Sequence, residues 1–151
     1  MKRFDRPEVR LIVSDEQAEG IYMNSGDAWD VSYRPQNPAM GACYMDGATP
    51  KCAYQIDGVH KDGTQSNSTT FKITFSKTLS AAMIDTLKSS LDAREYAVVG
   101  NTIYYYFENR SWSQFGMGQP TYSYNPSEGS VEIIDFSVMD GKADVPWISK
   151  W

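Results

Sequence analysis

Y-A-V-V-G-N-T-I-Y-Y-Y-F-E-N-R-S-W, residues Tyr96 to Trp112, decides the fold. Gly100-Asn101 is a two-residue turn signal, because glycine takes the positive φ that tight hairpins require and asparagine tolerates it. Apolar and aromatic β-formers flank it on both sides. A turn at those two residues sets Val99 opposite Thr102, Val98 opposite Ile103, Ala97 opposite Tyr104 and Tyr96 opposite Tyr105. Side chains alternate along a strand with period two. Tyr96, Val98, Ile103, Tyr105 and Phe107 therefore share one face, and Ala97, Tyr104, Tyr106 and Glu108 the other. The first is a core face. The second carries two tyrosines that a core does not require.

The flanking segments repeat the pattern. Thr69 to Ser76 (TTFKITFS) alternates most cleanly: Phe71, Ile73 and Phe75 point one way, Lys72, Thr74 and Ser76 the other. One wet face and one dry face imply an antiparallel sheet. Between this strand and the hairpin the period changes. Met83, Ile84, Leu87 and Leu91 fall on one helical stripe behind Ser80, a capping residue, which predicts a helix over about 79–91. Further out, Glu8 to Ser14, Ile21 to Met23, Ala28 to Tyr33 and Ala53 to Asp57 read as strands. Trp29, Val31 and Tyr33 form the row expected in the core. Asp15 to Gly20 reads as an acidic turn, and Arg34 to Ala42 as a proline-bearing loop. Gly58 to Ser68 reads as a long polar loop holding His60. Arg110 to Asn125 reads as irregular, broken by Gly116, Gly118 and Pro120. Ser130 to Met139 is the last strand, with Ile134, Phe136 and Val138 inward, and residues 145–151 are a tail with two tryptophans. Seven or eight short strands and one helix make a mostly β chain. The expected architecture is an antiparallel β-sandwich or jelly roll with one crossover helix, a single domain over residues 1–151.

The composition narrows function. At 151 residues and 41% hydrophobic, the chain can bury a real core. Its formal charge of −5 and the absence of a basic run argue against nucleic acid and against an anionic membrane surface. No stretch approaches the ~18 consecutive apolar residues of a transmembrane helix. Residues Met1 to Glu8 (MKRFDRPE) have no apolar signal core, which leaves two expectations: a cytoplasmic protein, or a module excised from a larger secreted chain. Cys43 and Cys52 bear on that choice. They bracket YMDGATPK, whose Asp46-Gly47 and Pro50 are turn residues. Such a loop brings both Cβ atoms to bonding distance. A disulfide there, worth about 2–3 kcal/mol in the chain-entropy model, suits an extracellular domain. Two ordinary buried thiols are the alternative. Two cysteines and one histidine do not make a zinc site.

Little in the chain carries catalysis. His60, the one histidine, lies in a polar loop and reads as solvated, so a nucleophilic triad has no base. Asp15, Glu16, Glu19, Asp27 and Asp30 cluster in turns. Asp27 with Asp30, or Asp140 with Asp144, offers oxygens to calcium without a recognised loop spacing. No other cofactor is implied. Gly116-Met117-Gly118 runs into Pro120 and is a bend, with no helix to make it a phosphate loop.

Three segments taken in order, Glu19 to Asp27 (EGIYMNSGD), Tyr54 to Gly63 (YQIDGVHKDG) and Phe71 to Leu79 (FKITFSKTL), resemble β-sandwich modules of secreted or cell-surface proteins of gut anaerobic bacteria. Those modules accompany carbohydrate-active or adhesive domains. The resemblance covers roughly the first half of the chain and rests on turns and strand cores, which carry fold and transfer no site residues. It implies an extracellular, non-catalytic module within a larger protein.

Aromatics supply the site expectation. They form 13% of the chain, with ten tyrosines and four tryptophans. Flat amphipathic rings suit binding surfaces, although a β-rich core favours them too. A pyranose ring presents an apolar C–H face that stacks on an aromatic side chain, while neighbouring polar groups bond its hydroxyls. Tyr104, Tyr106 and Trp112, with Tyr122 and Tyr124, are the expected exposed set. The expected function is polysaccharide binding without catalysis, on a secreted or cell-surface protein. A protein-interaction or adhesion module using the same patch is the alternative. A small glycosidase, needing two carboxylates about 5–10 Å apart, comes third.

Overall fold

The computed structural model describes residues 22–25, 28–90 and 93–149. The expected strand over 8–14, the acidic turn over 15–20, Asp27, Leu91 and Trp151 lie outside them. Among the described residues, eleven strands and one helix follow in order: β1 (Tyr22–Ser25), β2 (Trp29–Pro35), β3 (Cys43–Asp46), β4 (Thr49–His60), β5 (Ser66–Phe75), α1 (Ala81–Ser90), β6 (Glu95–Val99), β7 (Thr102–Trp112), β8 (Gln114–Met117), β9 (Thr121–Ser123), β10 (Ile133–Asp140) and β11 (Ile148–Ser149).

The β6–β7 hairpin forms in the expected register, from Val99 opposite Thr102 to Tyr96 opposite Tyr105. Gly100 turns it at φ 64°. The hairpin sits inside an antiparallel sheet ordered β10-β5-β7-β6-β11. A second antiparallel sheet runs β1-β2-β4-β3, with β8 and β9 also paired to the long β4. The inward rows of the two sheets face each other as the alternation requires. Trp29, Val31, Tyr33, Tyr54 and Ile56 come from one sheet, and Phe71, Ile73, Phe75, Ile103, Tyr105, Phe107, Phe136 and Val138 from the other. This is the β-sandwich read from the sequence, with Trp29, Val31 and Tyr33 in its core.

Helix α1 starts where Ser80 places it, the Ser80 hydroxyl accepting the Met83 N–H at 3.2 Å. Met83 and Leu87 are buried. The Ser90 and Thr86 hydroxyls accept the backbone N–H groups of Thr121 and Ser123, which ties the helix to β9. Cys43 and Cys52 pair directly across β3 and β4 and are disulfide-bonded.

Three local readings change. The polar segment after Asp57 is mostly strand: β4 runs on to His60 and β5 begins at Ser66. The segment expected to be irregular holds the end of β7, all of β8 and all of β9. Gly116 breaks no strand, because its missing side chain leaves room for the Asp57 carboxylate; a Cβ there would lie 2.8 Å from it. Finally, the register slips between Ile133 and Asp135, so Ile133 is buried and Ile134 points to solvent. Phe136 and Val138 remain inward. A bulge reverses the phase on one side of it, which simple alternation across IIDF cannot anticipate.

Candidate functional site

The site is built on the outer face of the β10-β5-β7-β6-β11 sheet. Register sets two rows across it: Met139–Thr70–Tyr106–Glu95, and Ser137–Lys72–Tyr104–Ala97. Tyr104 and Tyr106 do point away from the sandwich, as their strand phase requires. The face is not bare, however. Beyond β10 the chain folds back over it. The Gly141 N–H donates to Ser68 O at 2.7 Å, the Thr70 hydroxyl donates to Gly141 O at 2.7 Å, and the Ala143 N–H donates to the Thr70 hydroxyl at 3.1 Å. The strap ends in β11, where Ile148 and Ser149 pair with Tyr96 and Glu95.

This strap brings Trp147 onto the two tyrosines. Its ring lies 6.5 Å from Tyr104 at 78° and 5.9 Å from Tyr106 at 54°. The Trp147 indole N–H donates to Ala143 O at 2.8 Å, which fixes the ring's orientation. The Lys142 ammonium sits 4.8 Å from the Tyr106 ring centre and 5.6 Å from that of Trp147, and donates to both Glu95 oxygens at 2.9 and 3.1 Å. Tyr106 is thereby reduced to 8% exposure, its hydroxyl 2.6 Å from that of Ser68. Tyr104 and Trp147 stay half-buried. Lys72, beside Tyr104 in the register, is exposed.

Of the five expected exposed rings, four pack against the core or beneath the strap. Tyr106 is covered by the strap. Tyr122 faces inward opposite Cys52, stacked on Tyr54 at 6.4 Å and edge-on to Phe75, with its hydroxyl donating to Val131 O. Trp112 turns toward the core against Phe71, Phe107 and Phe115, with ring centres 5.1–6.0 Å away. The β5–β7 register slips between Ser66 and Ser68, and alternation ends there. Tyr124 is half-buried against the core. Trp147 and Lys142 are the residues that sequence reading missed. A second tryptophan in a short proline-bearing tail was the signal, but local periodicity does not show where a tail docks.

His60 also differs from its reading as a solvated loop residue. It is the last residue of β4, with its side chain 7% exposed. Nδ1 lies 2.5 Å from the Asp62 carboxylate and Nε2 lies 2.7 Å from that of Asp140. The other Asp140 oxygen accepts the Trp29 indole N–H at 2.9 Å. The Asp140 hydrogen bond raises the His60 pKa; burial opposes it, and the Asp62 hydrogen bond adds to the rise, leaving the pKa above 6.5. Asp62 is held at about 2, chiefly by the Thr64 hydroxyl and backbone N–H. Burial pushes Asp140 up, but hydrogen bonds from His60, Ser66 and Trp29 outweigh it and its pKa is lowered. The two carboxylates sit at opposite nitrogens of one ring and share no coordination point. Among the described residues no group of three or more His, Cys, Asp or Glu is placed to hold a metal ion. Both Asp140 oxygens are engaged, one by Trp29 and one by His60.

The outer face of the other sheet carries a polar network. Arg34 pairs with Asp57 at 2.5 Å, Gln55 donates to Asp57 at 3.2 Å, and Gln36 donates to Gly118 O at 3.3 Å. Among the described residues no helix is long and apolar enough to cross a membrane. The disulfide fits an oxidising compartment. Comparison with family models, with curated proteins and with solved structures finds no match.

Proposed function

We propose that this domain is a non-catalytic module that binds polysaccharide on a secreted or cell-surface protein, through Tyr104 and Trp147. One observation carries the reading: the half-buried Tyr104 and Trp147 meet on an outer sheet face, with Lys72 and Ser137 beside Tyr104 in register and the Lys142 ammonium over Trp147. Aromatic faces supply apolar contact, and the polar neighbours supply orientation. The rings cross at 78°, so they form a corner and not a plane. A corner seats one residue of a soluble glycan chain. It does not match the flat surface of a crystalline polymer. Two further features support a non-catalytic role. Both ring nitrogens of the one histidine are occupied by carboxylates, and both cysteines are in the disulfide.

Affinity electrophoresis against neutral and acidic soluble glycans tests the reading, alongside sedimentation with crystalline cellulose and chitin. Retardation by at least one soluble polymer, abolished in Trp147→Ala, is expected. No retardation by any polymer overturns it. A protein partner on the same face is the second reading, favoured by Ile148 and Val99, both exposed at that sheet edge. A pull-down that retains a protein while no glycan binds would decide for it.

A further inference from the structure

His60 joins parts of the molecule that no covalent bond holds together. It ends β4 in one sheet, and its Nε2 meets Asp140, the last residue of β10 in the other. Trp29, on β2, binds the same carboxylate and places its ring edge-on to the imidazole at 5.0 Å. On the opposite side, Nδ1 meets Asp62 in the turn that follows β4. A carboxylate only accepts, so both contacts are hydrogen bonds only while the ring carries both protons. Among the described residues, the charged groups facing the ring are Asp62 from the turn and Asp140 from β10. Thr64, Ser66 and Trp29 are neutral, and Lys61 is exposed.

We propose that His60 is a proton-operated clamp whose deprotonation releases the turn 61–65 while leaving the Asp140 link in place. The two sides of the ring are not equivalent. Asp140 keeps the Trp29 indole as a donor whatever the ring does, and a neutral ring can still donate from Nε2. Asp62 is in the exposed turn, with its side chain 65% exposed. Its remaining donors, the Thr64 hydroxyl at 2.6 Å and N–H at 2.9 Å, belong to that same turn and would move with it. Loss of the proton thus sets a carboxylate against a lone pair at Nδ1, and the cheapest relief is withdrawal of Asp62. The raised pKa of His60 places this change above the ordinary histidine value of 6.5. The clamp is independent of whether any glycan binds.

The single histidine makes the test direct, since its ring resonances have no competitor. The full chain is titrated by NMR from pH 5 to pH 9, following the imidazole, the 61–65 amides, the Asp62 and Asp140 carboxyl carbons and the Trp29 indole. The His60 midpoint is expected above 6.5. The turn amides and the Asp62 carbon should move with that midpoint, while the Trp29 indole N–H stays hydrogen-bonded throughout. Asp62→Asn should lower the midpoint and abolish the pH response of the turn without unfolding the protein. The proposal is overturned if the midpoint lies at or below 6.5. It is equally overturned if the turn ignores the titration, or if the Trp29 indole and Asp140 respond while the turn does not.

Discussion

Two tyrosines in one core should respond in opposite directions to loss of the same atom. The Tyr105 hydroxyl is fully buried and, among the described residues, has no hydrogen-bond partner. Burial pushes its phenol pKa well above 10, as expected for a group that cannot be solvated when charged. A buried hydroxyl without a partner costs about 1–3 kcal/mol. Tyr105→Phe removes that cost and keeps the ring. The void left is about 10–15 Å³, worth roughly 0.3 kcal/mol at ~24 cal/mol per Å³. The net expectation is a gain of about 1 kcal/mol, or roughly 3 °C in Tm for a chain of this length. Tyr122→Phe is the control. Its hydroxyl donates to Val131 O at 2.5 Å inside the core. Deleting it strands a buried carbonyl and should cost about 1–3 kcal/mol. Thermal and urea unfolding followed by circular dichroism reads both, with m unchanged if only the native state is affected. If Tyr105→Phe destabilises as much as Tyr122→Phe, the Tyr105 hydroxyl has a partner and the account of the core is wrong.

Gly58→Ala should destabilise by about 1–3 kcal/mol through overpacking, because a Cβ there enters the Phe115 ring. Phe115 is held by Trp29, Phe71 and Trp112 and cannot step aside cheaply; an unchanged Tm would contradict this packing. Stability should also be greatest between about pH 3.8 and 6.5, the unfolded pKa values of the carboxylates and of histidine. His60 is raised on folding, so its contribution is complete below 6.5 and fades as pH climbs through the folded value. Asp62 and Asp140 are lowered, so theirs is complete above 3.8 and fades on acidification, for Asp62 toward pH 2. Tm against pH for the wild type and His60→Gln checks this, and a variant that keeps the alkaline decline contradicts it.

The parts of the fold written in local pattern were legible. Gly100-Asn101 with alternating apolar flanks fixed a hairpin to the residue, and the change of period after Ser80 fixed the helix. What was not legible depends on distant partners. The glycines at 116 and 118 read as breakers, yet they lie on or beside an edge strand whose outer side is filled by Asp57 of β4 and by Gln36 just beyond β2. Ile133 and Ile134 are equally apolar, so nothing in the sequence says which one the bulge turns outward. His60 looked solvated because Asp140, 80 residues away, supplies its partner. The candidate site was half legible. Strand phase correctly sent Tyr104 and Tyr106 to the outer face, but phase does not reveal what covers that face. Trp147 reaches it through backbone hydrogen bonds to Ser68 and the Thr70 hydroxyl, a tertiary arrangement invisible to periodicity. Tyr122 shared its period-two spacing with Tyr124, and only its pairing with Cys52 decided that it faces in.

Titrating the ¹⁵N-labelled domain with oligosaccharides from any polymer that retards it tests the central claim most directly. The Trp147 indole and the amides of residues 72, 104 and 137 should shift together and saturate, while the Arg34–Asp57 face stays silent. Shifts confined to that opposite face, or saturable binding undiminished in Trp147→Ala, would contradict a ligand site built on Tyr104 and Trp147.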